Sequence, residues 1–423
     1  MYQSDSTVPQ GLKIPPCSTA LWQRLCMLFL LYVVQGMPYG FFVTALPLFL
    51  RQAGVSRTSI GFYSVLGLPW FLKFLWAPLI DRFSWSRLGR RKSWIVACTA
   101  CLVVMLLLLI GEEPVPGTSI TLLLFIIFVI NLLAATQDIA VDGFAVDSLS
   151  PEERGPGNAA QVVGFKGGML LTGGLFLAFV LQIGWSGMCI GMACISLLIL
   201  LALLLYPEGS PDGPDNDSHP GLSQIVGSLV VLARRSGFLL ALALICTYKT
   251  GESLIDAMYK IFLMDCGMGT STIGILCGGW GLGFSLAGSL LGGWVARRAG
   301  RLQVLFWFGV LRAIPLAAIA CLPFLGAPLA PWIVYPVTLA EHFMGGMLTT
   351  VMFAFMMDLC DRRVGATHYT ALAAVEVAGK MGMSFFSGLI ADKVGYGYLF
   401  CLGAGISILW PWLVAVSRRR IVL

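Results

Sequence analysis

Asp138 and Asp142 stand four residues apart in the stretch NLLAATQDIAVDGF, so both carboxylates share one face of any helix that carries them, with Gln137 beside the first. Two carboxylates that close in a medium of low dielectric resist ionising together, which suits such a pair to taking up and releasing a proton. A second stripe, Lys249, Glu252, Asp256 and Lys260, recurs at intervals of three, four and four, and reads base, acid, acid, base along one face. Glu376 and Lys380 are again four apart. With Lys73, Lys166, Arg312 and Glu341, six acids and six bases fall inside otherwise apolar runs. Asp138, Asp142, Glu252 and Asp256 are the candidates for carrying a coupling proton. Lys73, Lys166, Lys249 and Lys380 could attract an anionic solute, with Gln35, Tyr39, Trp70, Gln137, Tyr248 and Glu376 as further lining. The opposing expectation is that these charges form structural ion pairs and salt-bridged helix ends, to which Asp142, Lys249 and Lys260, near the ends of their runs, are equally open. Arg312, followed by Ile314 and Pro315, is expected to snorkel or to sit at a kink. His342 beside Glu341 is either a proton relay or a packing residue.

The elements that must hold these charges are membrane-spanning helices. The chain has 423 residues, 58% hydrophobic and 11% charged, against about 25% charged in an ordinary soluble domain, which excludes a soluble enzyme. Apolar runs between charge clusters and Gly/Pro breaks lie at 22–50, 58–80, 93–111, 118–146, 157–182, 186–206, 237–263, 270–296, 302–325, 331–358, 367–391 and 397–416, each near the roughly 20 residues a spanning helix needs. No cleavable signal peptide is expected, because the first twenty residues are polar and contain proline and the first run is long enough to span. PEGSPDGPDNDSHPG, the one strongly polar Pro/Gly/Asp-rich stretch, divides the runs six and six. The expected division is a bundle over 1–206, a cytoplasmic linker at 207–222 and a second bundle over 223–423.

Eighteen of the 27 Lys and Arg residues fall at the termini and in the loops after even-numbered runs, and three (Arg51, Arg57, Lys393) on the opposite face. The net charge of +6 is therefore membrane topology rather than nucleic-acid affinity, and both termini are expected in the cytoplasm. The twelve cysteines are scattered; Cys98 and Cys101 form a lone CxxC inside an apolar run and read as small hydrophobes, not metal ligands. A faint repeat relates LIDRFSWSRLGRRKSW to GGWVARRAGRLQVL and GFKGG to AGKMG, as in transporters built from two six-helix units.

Asp81-Arg82 followed by Gly89-Arg90-Arg91-Lys92, between the second and third runs, resembles the cytoplasmic signature of the major facilitator superfamily. The resemblance implies a cytoplasmic gate at Asp81, Arg82, Gly89, Arg90 and Arg91. GMPYG (Gly36–Gly40), PWFLKFLWAPLIDR (Pro69–Arg82), GRRKSW (Gly89–Trp94), AATQDIAVDG (Ala134–Gly143) and SPEERGPGNA (Ser150–Ala159) together resemble the family of bacterial muropeptide permeases and acetyl-coenzyme A transporters. The same motifs are similar to twelve-span siderophore-uptake permeases. The second half, with GGMLTTVMF, ATHYTALA and Gly379-Lys380, resembles the animal major facilitator domain-containing protein 3 group. The muropeptide permeases carry two additional spans and the acetyl-coenzyme A transporters longer insertions, so this chain leans toward the compact branches.

The resemblance implies an all-α integral membrane protein of twelve helices in two six-helix bundles, working by alternating access. It implies a secondary transporter moving a bulky polar or anionic solute such as a siderophore, muropeptide or acetyl-coenzyme A, with Gln137, Asp138 and Asp142 as hallmark. An uncoupled facilitator or receptor-like protein is the alternative. A membrane acyl-transfer enzyme is disfavoured by three histidines and no Ser-His-Asp-like cluster. Expected partners are a small-molecule substrate, protons and the lipid bilayer, with no nucleic acid, no cofactor, no metal and a monomeric chain. The membrane is a bacterial inner membrane or a eukaryotic plasma or organelle membrane.

Overall fold

In a computed structural model, residues 19–82, 90–149, 153–206, 237–296, 298–359, 365–418 and 420 are described, and every regular element among them is helical. Helices occupy all twelve apolar runs, numbered here as segments in chain order. Nine helices among the described residues are long and apolar enough to cross a membrane. The difference from twelve has three physical causes. The second segment is broken into short helices at Arg57–Phe62, Leu68–Leu72 and Ala77–Arg82 by tight 3₁₀ turns, where Pro69 and Pro78 remove amide donors. The fifth (Arg154–Met169) carries Arg154, Asn158, Gln161, Lys166 and a set of glycines that lower its hydropathy. The eleventh and twelfth run on as one helix, Gly365–Ser417, across a non-helical Gly395.

Gly395 (φ +83°) and Gly184 (φ +63°) perform the same task in the two halves: each turns one segment directly into the next through a conformation that side chains disfavour. Trp185, next to Gly184, is fully buried, donates to the Leu109 carbonyl at 2.8 Å and stacks edge-on against Phe41 and Phe49, locking the sixth segment to the first and third. Lys92 reaches across to the carbonyl of Tyr206 at 2.8 Å, placing a cation at the C-terminal end of the sixth segment.

Small residues let the helices approach where burial alone gives little drive. A Cβ on Gly36 would lie 2.1 Å from the Phe165 carbonyl oxygen, and one on Gly168 2.3 Å from that of Val33, so the first and fifth segments touch backbone to backbone. The outward faces are apolar, with Leu181, Leu205 and Trp332 exposed to where lipid lies.

The halves meet through π-helical stretches at Phe41–Ala45, Leu170–Phe176 and Gly274–Trp280. Such stretches widen a helix by a residue and recur at functional sites. A Cβ on Gly278 would lie 1.8 Å from the Gly173 carbonyl oxygen, in the opposite half. Gly278→Ala should therefore lower the unfolding temperature in detergent, corresponding to overpacking of about 1–3 kcal/mol. Gly279→Ala, whose Cβ would meet nothing nearer than 3.9 Å, should leave it unchanged.

Candidate functional site

A cavity of about 530 Å³ lies between the halves, walled by the first, second, fourth and fifth segments on one side and the seventh and eleventh on the other. The broken second segment positions much of the first wall. The turn at Lys73–Leu75 and the helix Leu68–Leu72 present Trp70 and Lys73 to the cavity. Trp70, Tyr39 and Phe165 form an aromatic triangle with ring centroids 5.4–6.3 Å apart. Trp70 is oriented by its indole N–H, which donates to Asn131 Oδ1 at 3.0 Å, and Asn131 in turn donates to the Ile127 carbonyl at 3.0 Å.

Among the predicted residues, Tyr39, Trp70, Lys73, Asp142, Asp256 and Lys380 line the cavity. Asp138 is just behind that wall, buried and paired with Lys73 Nζ. Asp142 accepts from the Tyr32 hydroxyl. The two acids stay neighbours in one cluster, and segments one and two give each its own direct donor. Gln35 and Gln137 are fully buried behind the wall, Gln137 Nε2 donating to Thr99 Oγ1 at 2.8 Å.

On the other wall, Lys380 pairs with buried Glu376 at 2.8 Å, and the Tyr248 hydroxyl donates to the same oxygen at 2.7 Å. Asp256 pairs with Lys260 at 3.1 Å; Lys260 is buried, although its run suggests a helix end. Lys249 occupies a non-helical break between Phe238–Thr247 and Thr250–Asp265, 3.9 Å from Glu252. Lys166 is half-buried, with its Nζ 3.5 Å from Ser289 Oγ in the opposite half. Arg312 does not snorkel. Its side chain is 3% exposed, held between Glu252 and Glu341, because both carboxylates face it from neighbouring segments.

A second cluster joins the halves at one end of the cavity. Arg51 Nε and Nη2 each meet an oxygen of Asp265 at 2.8 Å, and Tyr396 donates to Asp265 at 2.6 Å. Arg57 Nε donates to Asp392 at 2.6 Å, and Thr58 adds its N–H at 2.8 Å and its hydroxyl at 2.6 Å. Phe62 stacks on Phe385 at 4.5 Å beneath them. In the sequence Arg51 and Arg57 stand out only as the sparse charge of one face; their acidic partners lie 214 and 335 positions away. At the other end, the pairs Arg24–Glu153, Arg91–Asp147 and Arg301–Asp358 each join residues of one half. Of the expected gate, Arg91 is seen tying the third segment to the fourth. Gly89, the linker at 207–222 and the side chains of Asp81, Arg82 and Arg90 lie outside the described residues.

The chain is 30% identical over 388 residues to the anhydromuropeptide permease of Escherichia coli K12, covering 90% of this chain and 78% of that one. It belongs to the muropeptide-permease family. The chain is also 25% identical over 385 residues to the putative transporter AmpG 4 of Rickettsia conorii, covering 89% of this permease and 92% of that protein. Residues 24–182 match the family described as acetyl-coenzyme A transporter 1. The fold is that of the nucleoside transporter NupG, with a TM-score of 0.71 at 13% identity over 95% of this chain and 100% of the other. It is equally that of the D-xylose-proton symporter, with a TM-score of 0.68 at 13% identity over 93% and 95%. The permease is a multi-pass membrane transporter of small molecules, not an enzyme.

Proposed function

We propose that this permease is a monomeric, proton-coupled importer of a solute of the anhydromuropeptide class, working by alternating access between six-helix bundles at 1–206 and 223–423. The observation that carries the reading is the cavity between the halves, where an aromatic triangle stands beside Lys73 and its buried partner Asp138 and faces Lys380 across the gap. The rings suit the faces of sugar rings, and the lysines suit carboxylates. The volume is within the roughly 300–1,000 Å³ of small-molecule sites. The relative in Escherichia coli is named for such a solute. A coenzyme A thioester fits less well, because each lysine lining the cavity already faces an acid and little surplus positive charge is left for several phosphates.

Coupling follows from charge balance. With the site empty, Lys73 and Asp138 neutralise each other. Protonation of Asp138 releases Lys73 to hold a carboxylate of the solute, and the loaded site is again balanced. A proton without solute, or solute without a proton, leaves an uncompensated charge in a closed cavity, which costs about 3–5 kcal/mol when a buried pair loses one partner. Only the two balanced states can close, and the proton and solute favour each other's binding by the same factor. The basic face is read as cytoplasmic, with both termini there. The Arg51–Asp265 and Arg57–Asp392 pairs then close the outer face, and the conformation opens inward.

Uptake into proteoliposomes separates the candidate solutes. A labelled anhydromuropeptide should accumulate when the lumen is made alkaline, with unlabelled anhydromuropeptide competing and acetyl-coenzyme A or a ferric siderophore failing to compete. Competition by acetyl-coenzyme A at equal concentration would overturn the substrate assignment.

A further inference from the structure

Behind the cavity wall of the second half, four charged or titratable groups from three segments meet: Arg312, Glu252, Glu341 and His342. Its guanidinium is fully enclosed, yet one nitrogen does all the pairing: Nη2 meets Glu341 Oε1 at 3.0 Å and also contacts Glu252 Oε2. Among the described residues, Nε and Nη1 are buried with no hydrogen-bond partner, and Glu252 Oε2 meets Nη2 as an ion pair without a hydrogen bond. A permanent arginine–carboxylate pair so deeply buried is expected to be bidentate and to satisfy its donors. One nitrogen divided between two carboxylates, with two donors idle, is the geometry of a group that can serve either acid. Room for it is built in: a Cβ on Gly345 would lie 3.1 Å from Arg312 Nη2.

The second oxygen of Glu341 lies 3.0 Å from His342 Nδ1, and that nitrogen is also 3.0 Å from the Thr338 carbonyl oxygen. A carbonyl only accepts, so Nδ1 carries hydrogen and the imidazole steadies Glu341 whether or not its ring is charged. The other charged groups facing the cluster are Lys249, Asp256 and Lys260 on the seventh segment, with Tyr259 there and Cys277 on the eighth. On the eleventh, Glu376 and Lys380 are engaged with each other and with Tyr248. The helix Gly281–Ala296 contributes no charge. Glu252 occupies the first turn after the break at Lys249, and the residues that follow it, Ser253 and Asp256, reach the cavity.

We propose that Glu341 carries a second exchangeable proton and that Arg312 is its switch. When Glu341 is protonated, Arg312 turns its idle donors to Glu252 and holds it bidentately; when Glu341 loses the proton, Arg312 is shared again. The movement acts on the broken seventh segment and so on the cavity wall. This rests on the proton-coupled reading above and adds one proton to it. The exchange at Lys73 and Asp138 moves one proton with one carboxylate and no net charge, so a second proton makes transport of a monoanion electrogenic.

Currents on a supported membrane, recorded beside external pH in proteoliposomes, test it with an anhydromuropeptide carrying one carboxylate as the probe. Wild type should give both an inward positive current and alkalinisation. Glu341→Gln should lose the current while keeping alkalinisation, roughly halved per solute, and Glu341→Asp, which keeps a carboxyl group, should retain the current. A Glu341→Gln current equal to wild type, or loss of current and alkalinisation together in both variants, overturns the switch. Alkalinisation without current in wild type overturns the second proton and leaves the first reading standing. Absence of alkalinisation in wild type overturns the proton-coupled reading itself, and with it the switch.

Discussion

Lys73→Met should abolish transport and destabilise the protein by about 3–5 kcal/mol, the cost of leaving a buried charge without its partner. Asp138 is 7% exposed, and Lys73 Nζ is its counter-ion in the structure. Lys73 is held toward it by a turn between two proline-bearing helices rather than by a flexible loop, so no other cation can easily take its place. Asp138→Asn alone leaves a lysine facing the cavity, where solvent can reach it, and should be milder. The double variant Lys73→Met/Asp138→Asn replaces an ion pair by neutral groups of similar size. Its stability should return to within about 1–2 kcal/mol of wild type, since buried pairs add little net stability over neutral replacements. Proton-driven accumulation should stay lost. Thermal unfolding in detergent with uptake on the same preparations reads both quantities. A double variant as unstable as Lys73→Met would show that the lysine is needed for packing rather than charge.

Removing the cross-half latch should shift the conformational balance rather than the fold. Arg51, Arg57, Asp265 and Asp392 are each a quarter or more exposed, and such pairs are worth about 0.2–1 kcal/mol apiece. Arg51 engages its acid through two nitrogens, and Asp392 accepts three hydrogen bonds. Together the two pairs should contribute about 0.4–2 kcal/mol, roughly a two- to 30-fold change in the ratio of closed to open states. With Ser384→Cys as a reporter in the cavity, the Arg51→Ala/Arg57→Ala variant should react faster with an impermeant maleimide added on the latch side. With the latch intact, the rate should rise with salt, because exposed pairs are screened. Equal rates with and without the latch, at low salt, would assign closure to the packing of Phe62 on Phe385 and of Gly61 on the eleventh segment instead.

The fold is legible in the order of the apolar runs, because lipid demands continuous helices of a fixed length. What periodicity does not show is where a run stops being a straight helix. Gly184 and Gly395 look like any other glycine among 49, yet they make the two tight reversals; the prolines at 69 and 78, by contrast, announce the broken second segment. The site is half legible. Intramembrane charge is conspicuous, so Lys73, Asp138, Asp142, Asp256, Glu376 and Lys380 stand out by type and position. Their pairing does not, since helical spacing relates Asp138 to Asp142 while the fold gives one to Lys73 and the other to Tyr32. Tyr32 and Asn131 have no signal of their own in an apolar helix. Phe165 sits directly before Lys166, and that adjacency is the one clue to its place in the wall. The latch acids Asp265 and Asp392 sit at ends of segments, where an acid is ordinary. Arg312 is visible as a charge, and the direction it faces depends on the neighbours supplied by segments seven and ten.

Proton movement driven by solute alone tests the central claim most directly. With purified protein in weakly buffered proteoliposomes and no imposed gradient, addition of an anhydromuropeptide should alkalinise the outer medium, and Asp138→Asn should reduce the signal sharply at equal protein. Solute entering the vesicles at the wild-type rate with no change in pH would contradict proton coupling through the Lys73–Asp138 site.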